Sequence, residues 1–364
     1  MKIAVYYDVP FGGAHVAMEE IILRLQKKHQ VEIFHNQNSS FSDFPFRRLW
    51  LDLESILFQR GKQYLQAKKI DAKRFDVVIV SHDRHFQAPW VLRFLKTPTV
   101  LLCQEPTRAY FEEFLRVDQK LPVLNRLYEL FNRQIRKGIE IKNAGFANKI
   151  ISNSVYSSES IFRAYGVKST PVLLGYNPQD FFPEKIRRKN QIVVVGNNEP
   201  QKALPFAIDC VAMINKSERP SLVIVSPRSR DCRQLVLRAK KAGVVLSLHQ
   251  EITTPRLRHL YNQSKLCIAV AHLEPFGLSV IESLACETPI VAINEAGYRE
   301  TVVDGKSGIL VERNAIKASA AIQNLLVDDR KRLQMGKYGH KDVKKRFSWD
   351  TTVEKIEQIF YEIT

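Results

Sequence analysis

Two glutamates, Glu274 and Glu282, stand eight residues apart in the stretch EPFGLSVIE. Pro275 and Gly277 interrupt the backbone just after the first of them, and the apolar run that begins at Leu278 reads as a helix start. A helix start offers backbone N–H groups and the positive end of its dipole, which together suit a phosphate. Carboxylates accept hydrogen bonds from sugar hydroxyls. One carboxylate at the mouth of the turn and another about two turns along the helix can hold an anionic group and a polyhydroxyl group side by side.

Such groups act only if a scaffold holds them, and the sequence describes one. KIAVYYD reads as a strand, Gly12 and Gly13 as a turn, and HVAMEEIILRLQKK as a helix with apolar residues at three-four spacing. FDVVIVSH, TPTVLLCQE, QIVVVGN, SLVIVSP, KLCIAVA and TPIVAIN are continuous apolar, β-branched runs, as expected of parallel strands covered on both faces. Helical stretches lie between most of them. The pattern predicts an α/β protein of two Rossmann-like, doubly wound domains. The stretch GYNPQDFFPEKIRRKN (175–190) carries turn residues and a charge run before a fresh strand, and places the boundary at 182/183. The domains are then 1–182 and 183–344, with FSWDTTVEKIEQIFYEIT inside a final amphipathic helical segment, 345–364.

The block from Glu274 to Val311, with its PFG, TPIVA, GYRE and DGKSGILV segments in order, resembles the E-x7-E signature of retaining glycosyltransferases of the GT-B fold, group 1 or family 4. The resemblance extends over essentially the whole chain. It implies two domains facing a central cleft, with the N-terminal one binding the acceptor and the C-terminal one the nucleotide sugar. It also implies that the final helix packs back on the first domain. On this reading Glu274 and Lys202 are the catalytic pair. Glu282, Gly277, Leu278, Phe276, Asn197 and Gly196 bind the donor, a UDP-, GDP- or ADP-linked sugar. The acceptor is a glycan or a lipid-linked saccharide. No metal or other cofactor is expected, because helix amides and basic side chains can neutralise the leaving diphosphate.

Further cleft residues follow from the same resemblance. Gly12 and Gly13 match a glycine loop that shapes the acceptor and diphosphate region; a structural tight turn is the alternative. His15 lines the cleft or caps the helix. LCQEPTRAY (102–110) resembles a stretch in which His usually precedes Glu; here Gln104 precedes Glu105. Gln can donate and accept hydrogen bonds but cannot titrate near neutral pH, so a sugar contact survives and an acid/base role does not. Glu105 and Arg108 are cleft residues or a salt bridge. Apart from the resemblance, His82 and His85 in SHDRH (81–85) end a strand that can reach the cleft, with surface residues as the alternative, and His249 to Ile252 follow a strand where the family holds the nucleobase. Asn197 occupies a position where the family carries Arg, with Arg228 and Arg230 as candidate substitutes. Ala203, Ala271 and Ala296 are further departures from the family pattern, beside Gly297, Arg299 and Glu300, which match its G-x-x-E turn in part.

Composition bounds the rest. A chain of 364 residues exceeds one ordinary core. No apolar run reaches the roughly 18–20 residues needed to cross a bilayer, and the N-terminus lacks a signal-peptide pattern. The 5 cysteines form no C-x-x-C pair, which reads as thiols in a reducing compartment. The net charge of +17 favours anionic partners. No nucleic-acid motif accompanies it, so peripheral contact with an anionic membrane, at the cytoplasmic face, is the better use of the charge, with simple solubility as the alternative. Arg126, Arg133, Arg136, Lys137, Lys142 and Lys149 form a candidate membrane-facing stripe or an ordinary solvated face. Two other functional readings stand beside transfer: a catalytically weakened nucleotide- or glycan-binding homologue, and a charge-driven binder of anionic surfaces.

Overall fold

The computed structural model describes residues 1–8, 12–35, 51–112, 115, 117, 119, 121–226 and 231–364. The chain divides into two compact units, Met1–Leu173 with Asp350–Thr364, and Leu174–Trp349.

Strands of the first unit are β1 (Lys2–Tyr6), β2 (Gln30–Phe34), β3 (Val77–Ser81), β4 (Thr99–Leu102), β5 (Lys149–Ser152) and β6 (Thr170–Pro171). They form one parallel sheet in the order β2-β1-β3-β4-β5-β6. The central strands β3 and β4 are buried along their whole length, whereas β2, at the edge, is only partly covered. This is why β3 reads as VVIVS and β2 as the mixed QVEIF. Tyr6, Val78, Val80, Leu101 and Ile150 pack with Ile70 and Ile161 from the flanking helices to make the core. Ser154 caps the Val155–Tyr165 helix by accepting from the Ser157 amide, and Gly166 ends it in the left-handed region at φ 73°.

The second unit holds β7 (Lys189–Val195), β8 (Ser221–Ser226), β9 (Leu246–Gln250), β10 (Ser264–Ala269), β11 (Ile290–Ile293) and β12 (Gly308–Val311). Its sheet is also parallel, in the order β12-β11-β10-β7-β8-β9. Strand order reverses between β7 and β10, which are neighbours in space but not in sequence. Side chains of β7, β8 and β10 interleave with Ile208, Leu235 and Ile322 in this unit's core.

The division falls at 173/174, ahead of the expected 182/183. Residues beyond 174 are pinned to the second unit: Arg258 donates to the Asp180 carbonyl at 3.0 Å and pairs with Glu184 at 2.7 Å, and Asn262 donates to the Phe182 carbonyl at 3.0 Å. At Gly175 a Cβ would stand 2.2 Å from the Trp349 nitrogen, so glycine lets the outgoing chain pass against the returning one. The return into the first unit begins at Asp350 rather than 345. The helix Trp349–Ile363 is fastened there by Arg24–Asp350 at 2.8 Å, His29–Glu357 at 2.9 Å and Lys149–Glu362 at 3.0 Å.

Candidate functional site

In an open parallel sheet, ligands bind outside the carboxyl ends of the strands where strand order reverses. In the second unit that place is the end of β7 and β10. Gly196 and Asn197 follow β7, and a short 3-10 turn at Pro200–Lys202 comes next. After β10 the loop from Val270 leads through Glu274 to the helix Leu278–Ala285. The two loops meet. Lys202 Nζ lies 2.8 Å from Glu274 Oε2, with both side chains partly buried. The lysine stem passes Gly196, 3.4 Å from where a Cβ would stand. The His272 amide donates to the Gln201 carbonyl at 2.7 Å, tying loop to loop.

Several groups hold Glu274 in place. Its carbonyl accepts from the Gly297 amide at 2.8 Å. A Cβ on Gly297 would stand 2.3 Å from the Pro275 oxygen, so only glycine permits this approach. Leu273 sits in the left-handed region at φ 44° and donates to Glu295 at 3.3 Å. Such a backbone costs a β-carbon-bearing residue roughly 1–2 kcal/mol, and the surrounding bonds must maintain it. Arg313 supplies them: it pairs with Glu295 at 2.7 Å and donates to the Val270 and Ala271 carbonyls at 2.9 and 2.8 Å. Partial burial alone would raise the Glu295 carboxyl; bonds from Arg313 and the Leu273 amide outweigh it and hold the group below its usual value.

Gly277 takes φ 97° and begins the helix, with the Tyr298 ring 3.0 Å from a would-be Cβ. Leu278 is the first helical residue and half-buried. Glu282 accepts from the Tyr261 hydroxyl at 3.0 Å. It keeps some solvent contact at its surface, yet its carboxyl lies deep among protein atoms. That desolvation pushes its pKa up to about 7, against the lowering effect of the tyrosine bond. Phe276 differs from its expected role as a donor contact. Its side chain is buried against Phe347, ring centroids 5.7 Å apart, so only its backbone is available to a ligand. Asn197 is partly buried and its Oδ1 has no hydrogen-bond partner. His249 donates to or accepts from Ser247 at 3.0 Å, and partial burial and Arg256 lower its pKa. Arg299 is spent on the Asn294 carbonyl, and the Glu300 carbonyl accepts from Arg346 at 2.8 Å. Arg228 and Arg230 lie outside the described residues.

The other expected group belongs to the first unit, where strand order reverses between β1 and β3. Gly12 precedes the helix Gly13–Leu25 and accepts from the Val16 amide at 3.1 Å. His15 lies 3.1 Å from Glu19 on the same helix. Gln104 is half-buried just after β4. Arg108 is buried and pairs with Glu112 at 2.9 Å and Glu105 at 3.6 Å. The ends of β1 and β3 carry an unexpected feature: Tyr6 Oη, Asp8 Oδ2, Ser81 Oγ and His82 Nδ1 are buried without a hydrogen-bond partner. Burial lowers the His82 pKa to about 4. Beside them Asp83, raised by burial, accepts from the His85 and Phe86 amides at 2.8 Å and from Gln63 at 2.7 Å.

The sequence reading missed Tyr261, Glu295, Arg313, Gln63 and Asp83. Glu295 lies inside the Glu274–Val311 block and Asp83 between His82 and His85, but the role of each of the five is found only through its partner. Three residues of the basic stripe are engaged within the protein. Arg133 donates to the Ala109 and Leu115 carbonyls, Arg136 pairs with Asp52 at 2.6 Å, and Lys149 pairs with Glu362. Among the described residues, no group of three His, Cys, Asp or Glu could hold a metal ion, and no helix is long and apolar enough to cross a membrane. All five cysteines are buried and free.

Two doubly wound units, with a paired lysine and glutamate beside a helix start at the reversal point of the second, place the chain in the doubly wound α/β class. Comparison with known proteins narrows this. Residues 177–342 match the family model described as glycosyl transferases group 1, and the chain carries that domain. A D-inositol 3-phosphate glycosyltransferase from Thermobispora bispora is 29% identical over 241 residues, 59% of this chain and 56% of its own length. The chain spans about half the length of the curated relatives it matches. Sucrose-phosphate synthase from Thermosynechococcus elongatus superposes with a TM-score of 0.77 at 18% identity, over 99% of this chain and 98% of that one. HepE from Anabaena, solved with UDP-glucose, gives 0.75 at 15% identity over 100% of both chains. These likenesses establish the GT-B fold.

Proposed function

We propose that this protein transfers a sugar from a nucleoside-diphosphate donor to a glycan or lipid-linked acceptor, with retention at the anomeric carbon and without a metal ion. The observation that carries the reading is the Lys202–Glu274 pair at the reversal point of the second sheet, beside the helix start at Gly277. In this reading the donor diphosphate takes the lysine from the glutamate and meets the first amides of the Leu278–Ala285 helix. Glu274, released, accepts from the sugar hydroxyls and orients C1. Glu282 accepts from the ribose hydroxyls. The acceptor oxygen bonds to C1 as the C1–O bond to the diphosphate breaks on the same face, and the hydroxyl proton leaves with the diphosphate. Lys202 and the helix amides neutralise the developing charge, which is the service a metal would otherwise perform. The acceptor residues are the first-unit group around Gly12, Gly13, His15 and Gln104. Similarity to relatives and neighbours whose names specify glycosyl transfer or UDP-glucose supports the donor class.

A panel of UDP, GDP and ADP and their sugar conjugates, read by thermal shift and then by turnover, tests this. Binding of one nucleotide series with turnover of its sugar is the expected result. Glu282→Ala should weaken donor binding, and Glu274→Ala should lower turnover more than affinity; wild-type behaviour of both would overturn the assignment. Because burial raises the Glu282 pKa to about 7, the carboxylate that accepts ribose hydroxyls gains population as pH rises through neutrality. Donor affinity should therefore rise between pH 6 and 8, flanking that value by roughly one unit on each side, and Glu282→Gln should remove the slope. One observation favours a weakened homologue instead: Asn197 stands where a second cation is expected, with its Oδ1 unpartnered. Nucleotide binding without turnover of any sugar conjugate would select that reading.

A further inference from the structure

Glu282 takes its hydrogen bond from a neighbouring helix. Tyr261 lies near the end of the helix Thr254–Gln263 with its side chain fully buried, and its hydroxyl donates to Glu282 Oε2 at 3.0 Å. The ring stands edge-on to Phe181, centroids 6.1 Å apart, so packing as well as the bond holds the phenol. Glu282 itself rises from the helix Leu278–Ala285. The bond therefore ties two helices together at the carboxylate proposed to meet the ribose.

A second residue fixes the same two helices at their ends. Arg188, just ahead of β7, donates to the Ser264 carbonyl and the Thr288 hydroxyl, each at 2.6 Å, and to the Cys286 and Glu287 carbonyls at 3.2 and 3.0 Å. Ser264 closes the helix that carries Tyr261, and Cys286 closes the helix that carries Glu282. The last carbonyls of a helix have no partner within it, and one guanidinium serves both ends here. Thr288 passes the link on, its hydroxyl donating to the Tyr261 carbonyl at 2.8 Å.

Among the described residues, the titratable groups that face the Glu282 carboxyl are Tyr261, Asp180 from the segment before β7, Cys267 on β10 and Cys286 at the end of its own helix. Burial pushes both thiols far above neutrality, so they add no charge near pH 7. Asp180 opposes the carboxylate as a like charge, and the Tyr261 hydroxyl favours it. Without that hydroxyl, a desolvated carboxyl with no donor is cheaper to protonate than to leave charged.

We infer that Tyr261 is a positioning residue for donor binding: its hydroxyl orients Glu282 and favours the charged form that accepts ribose hydroxyls, while Arg188 fixes the spacing of the two helices. This role rests on the reading of Glu282 as the ribose-binding residue. Glu282 is titrated in the full chain by infrared difference spectroscopy, wild type against Glu282→Gln, which isolates the bands of one carboxyl. Affinities for UDP, GDP and ADP are measured by calorimetry from about pH 6 to about pH 9. In Tyr261→Phe, measured against its own Glu282→Gln partner, the midpoint should rise by about one to two pH units, the size of a hydrogen bond to a charged group. Nucleotide affinity should fall roughly five- to fiftyfold at about pH 7 and recover to within a few-fold at about pH 9. In the Glu282→Gln background, Tyr261→Phe should change affinity little and by the same factor at every pH. Arg188→Lys, which loses the fork of donors, should move the midpoint the same way by less. Should Tyr261→Phe not melt cooperatively, 3-fluorotyrosine replaces it: the more acidic phenol donates more strongly, and the midpoint should drop. An unmoved midpoint, or an affinity loss equal at all pH values, would overturn the role of Tyr261 and leave a merely structural one. Failure of the wild-type chain to bind any of these nucleotides would instead overturn the donor reading, and this role with it.

Discussion

The two sheets of this molecule have the same number of parallel strands and different treatments of the polar atoms at their reversal points. In the second unit, Lys202 meets Glu274, and Arg313 and Glu295 brace the loop that carries the glutamate. The strained backbone at Leu273 has a bond to Glu295 that maintains it. In the first unit, Tyr6, Asp8, Ser81 and His82 end their strands with buried polar atoms that have no hydrogen-bond partner among the described residues. An unsatisfied buried group costs about 1–3 kcal/mol; at the first unit's reversal point four residues carry such an atom, and at the second's Asn197 carries one. The difference fits a division of labour in which the second unit is pre-set for one charged ligand, while the first keeps hydrogen-bonding capacity open.

The largest effect should come from breaking the pre-set pair. Lys202→Ala removes the cation and leaves Glu274 unpaired at the mouth of the helix. Sugar transfer should fall by about 10²–10³-fold, the usual loss when a charge-stabilising donor is removed from a site, and donor affinity should fall with it. Rates within a few-fold of wild type would mean the pair is structural. A matched lesion in the first unit, His82→Ala, should leave nucleotide affinity unchanged, since His82 belongs to the other sheet.

The second effect probes the brace. In Gly297→Ala the new methyl would press into the Pro275 carbonyl at 2.3 Å. Overpacking of this kind costs typically 1–3 kcal/mol, and the shifted loop should carry Glu274 away from Lys202. Gly61→Ala is the control in the first unit: nothing lies within 4 Å of its Cβ, and it sits inside a helix. That substitution should be neutral or stabilise by roughly 0.5–1 kcal/mol. Equal melting shifts for the two variants would show that the second-unit loop is not constrained as the geometry requires.

What the sequence disclosed follows the same division. The sheets were legible because parallel strands covered on both faces leave uninterrupted runs such as VVIVS and SLVIVS. Lys202 and Glu274 were legible because they sit beside glycines in loops with a recognisable order. The brace was not. Register pairs Ile293 with Val311, which sets Glu295 and Arg313 side by side two residues past each strand, and no local pattern encodes that neighbourhood. Spacing alone did not show the partners of the basic residues on the Val123–Ala144 helix: Asp52, the Ala109 carbonyl and the Leu115 carbonyl take up two of them. Phe276 lies in a signature stretch and yet turns into the core.

A third prediction concerns the first unit's tolerance of buried polarity. Glu140 is fully buried; Thr107 and the Gln87 amide donate to one oxygen, while the other has no partner. Desolvation pushes its pKa from 4.5 to about 7 despite those bonds. The folded state therefore holds a proton that the unfolded chain releases. Stability from this group falls as pH rises from about 4.5 to about 7 and levels off above. Hydrogen exchange in the Val123–Ala144 helix should report a loss of about 3 kcal/mol across that window. Glu140→Gln keeps an acceptor for Thr107 and Gln87 and cannot ionise, so it should flatten the profile. An unchanged profile would place the charge cost elsewhere.

The smallest effect is the most instructive, because it asks whether the second unit is fully pre-set. Asn197 follows Gly196 at the end of β7, partly buried, with Oδ1 unpartnered. Among the described residues it is the one position at that reversal point that resembles the open polar ends of the first unit. Asn197→Arg adds a fork of donors where the proposed diphosphate would lie. A new charged hydrogen bond of about 1.5 kcal/mol would tighten nucleoside diphosphate binding roughly tenfold and leave the unphosphorylated nucleoside unaffected. The competing outcome is equally physical: the guanidinium could pair with Glu274 in the free protein, and affinity would then fall because the ligand must displace two cations instead of one. Calorimetry at two salt concentrations separates these cases. Tighter binding with a steeper salt dependence means that the native clamp is one cation short; weaker binding means that Lys202 and Glu274 already balance, and that Asn197 is the residue that keeps the balance from being upset.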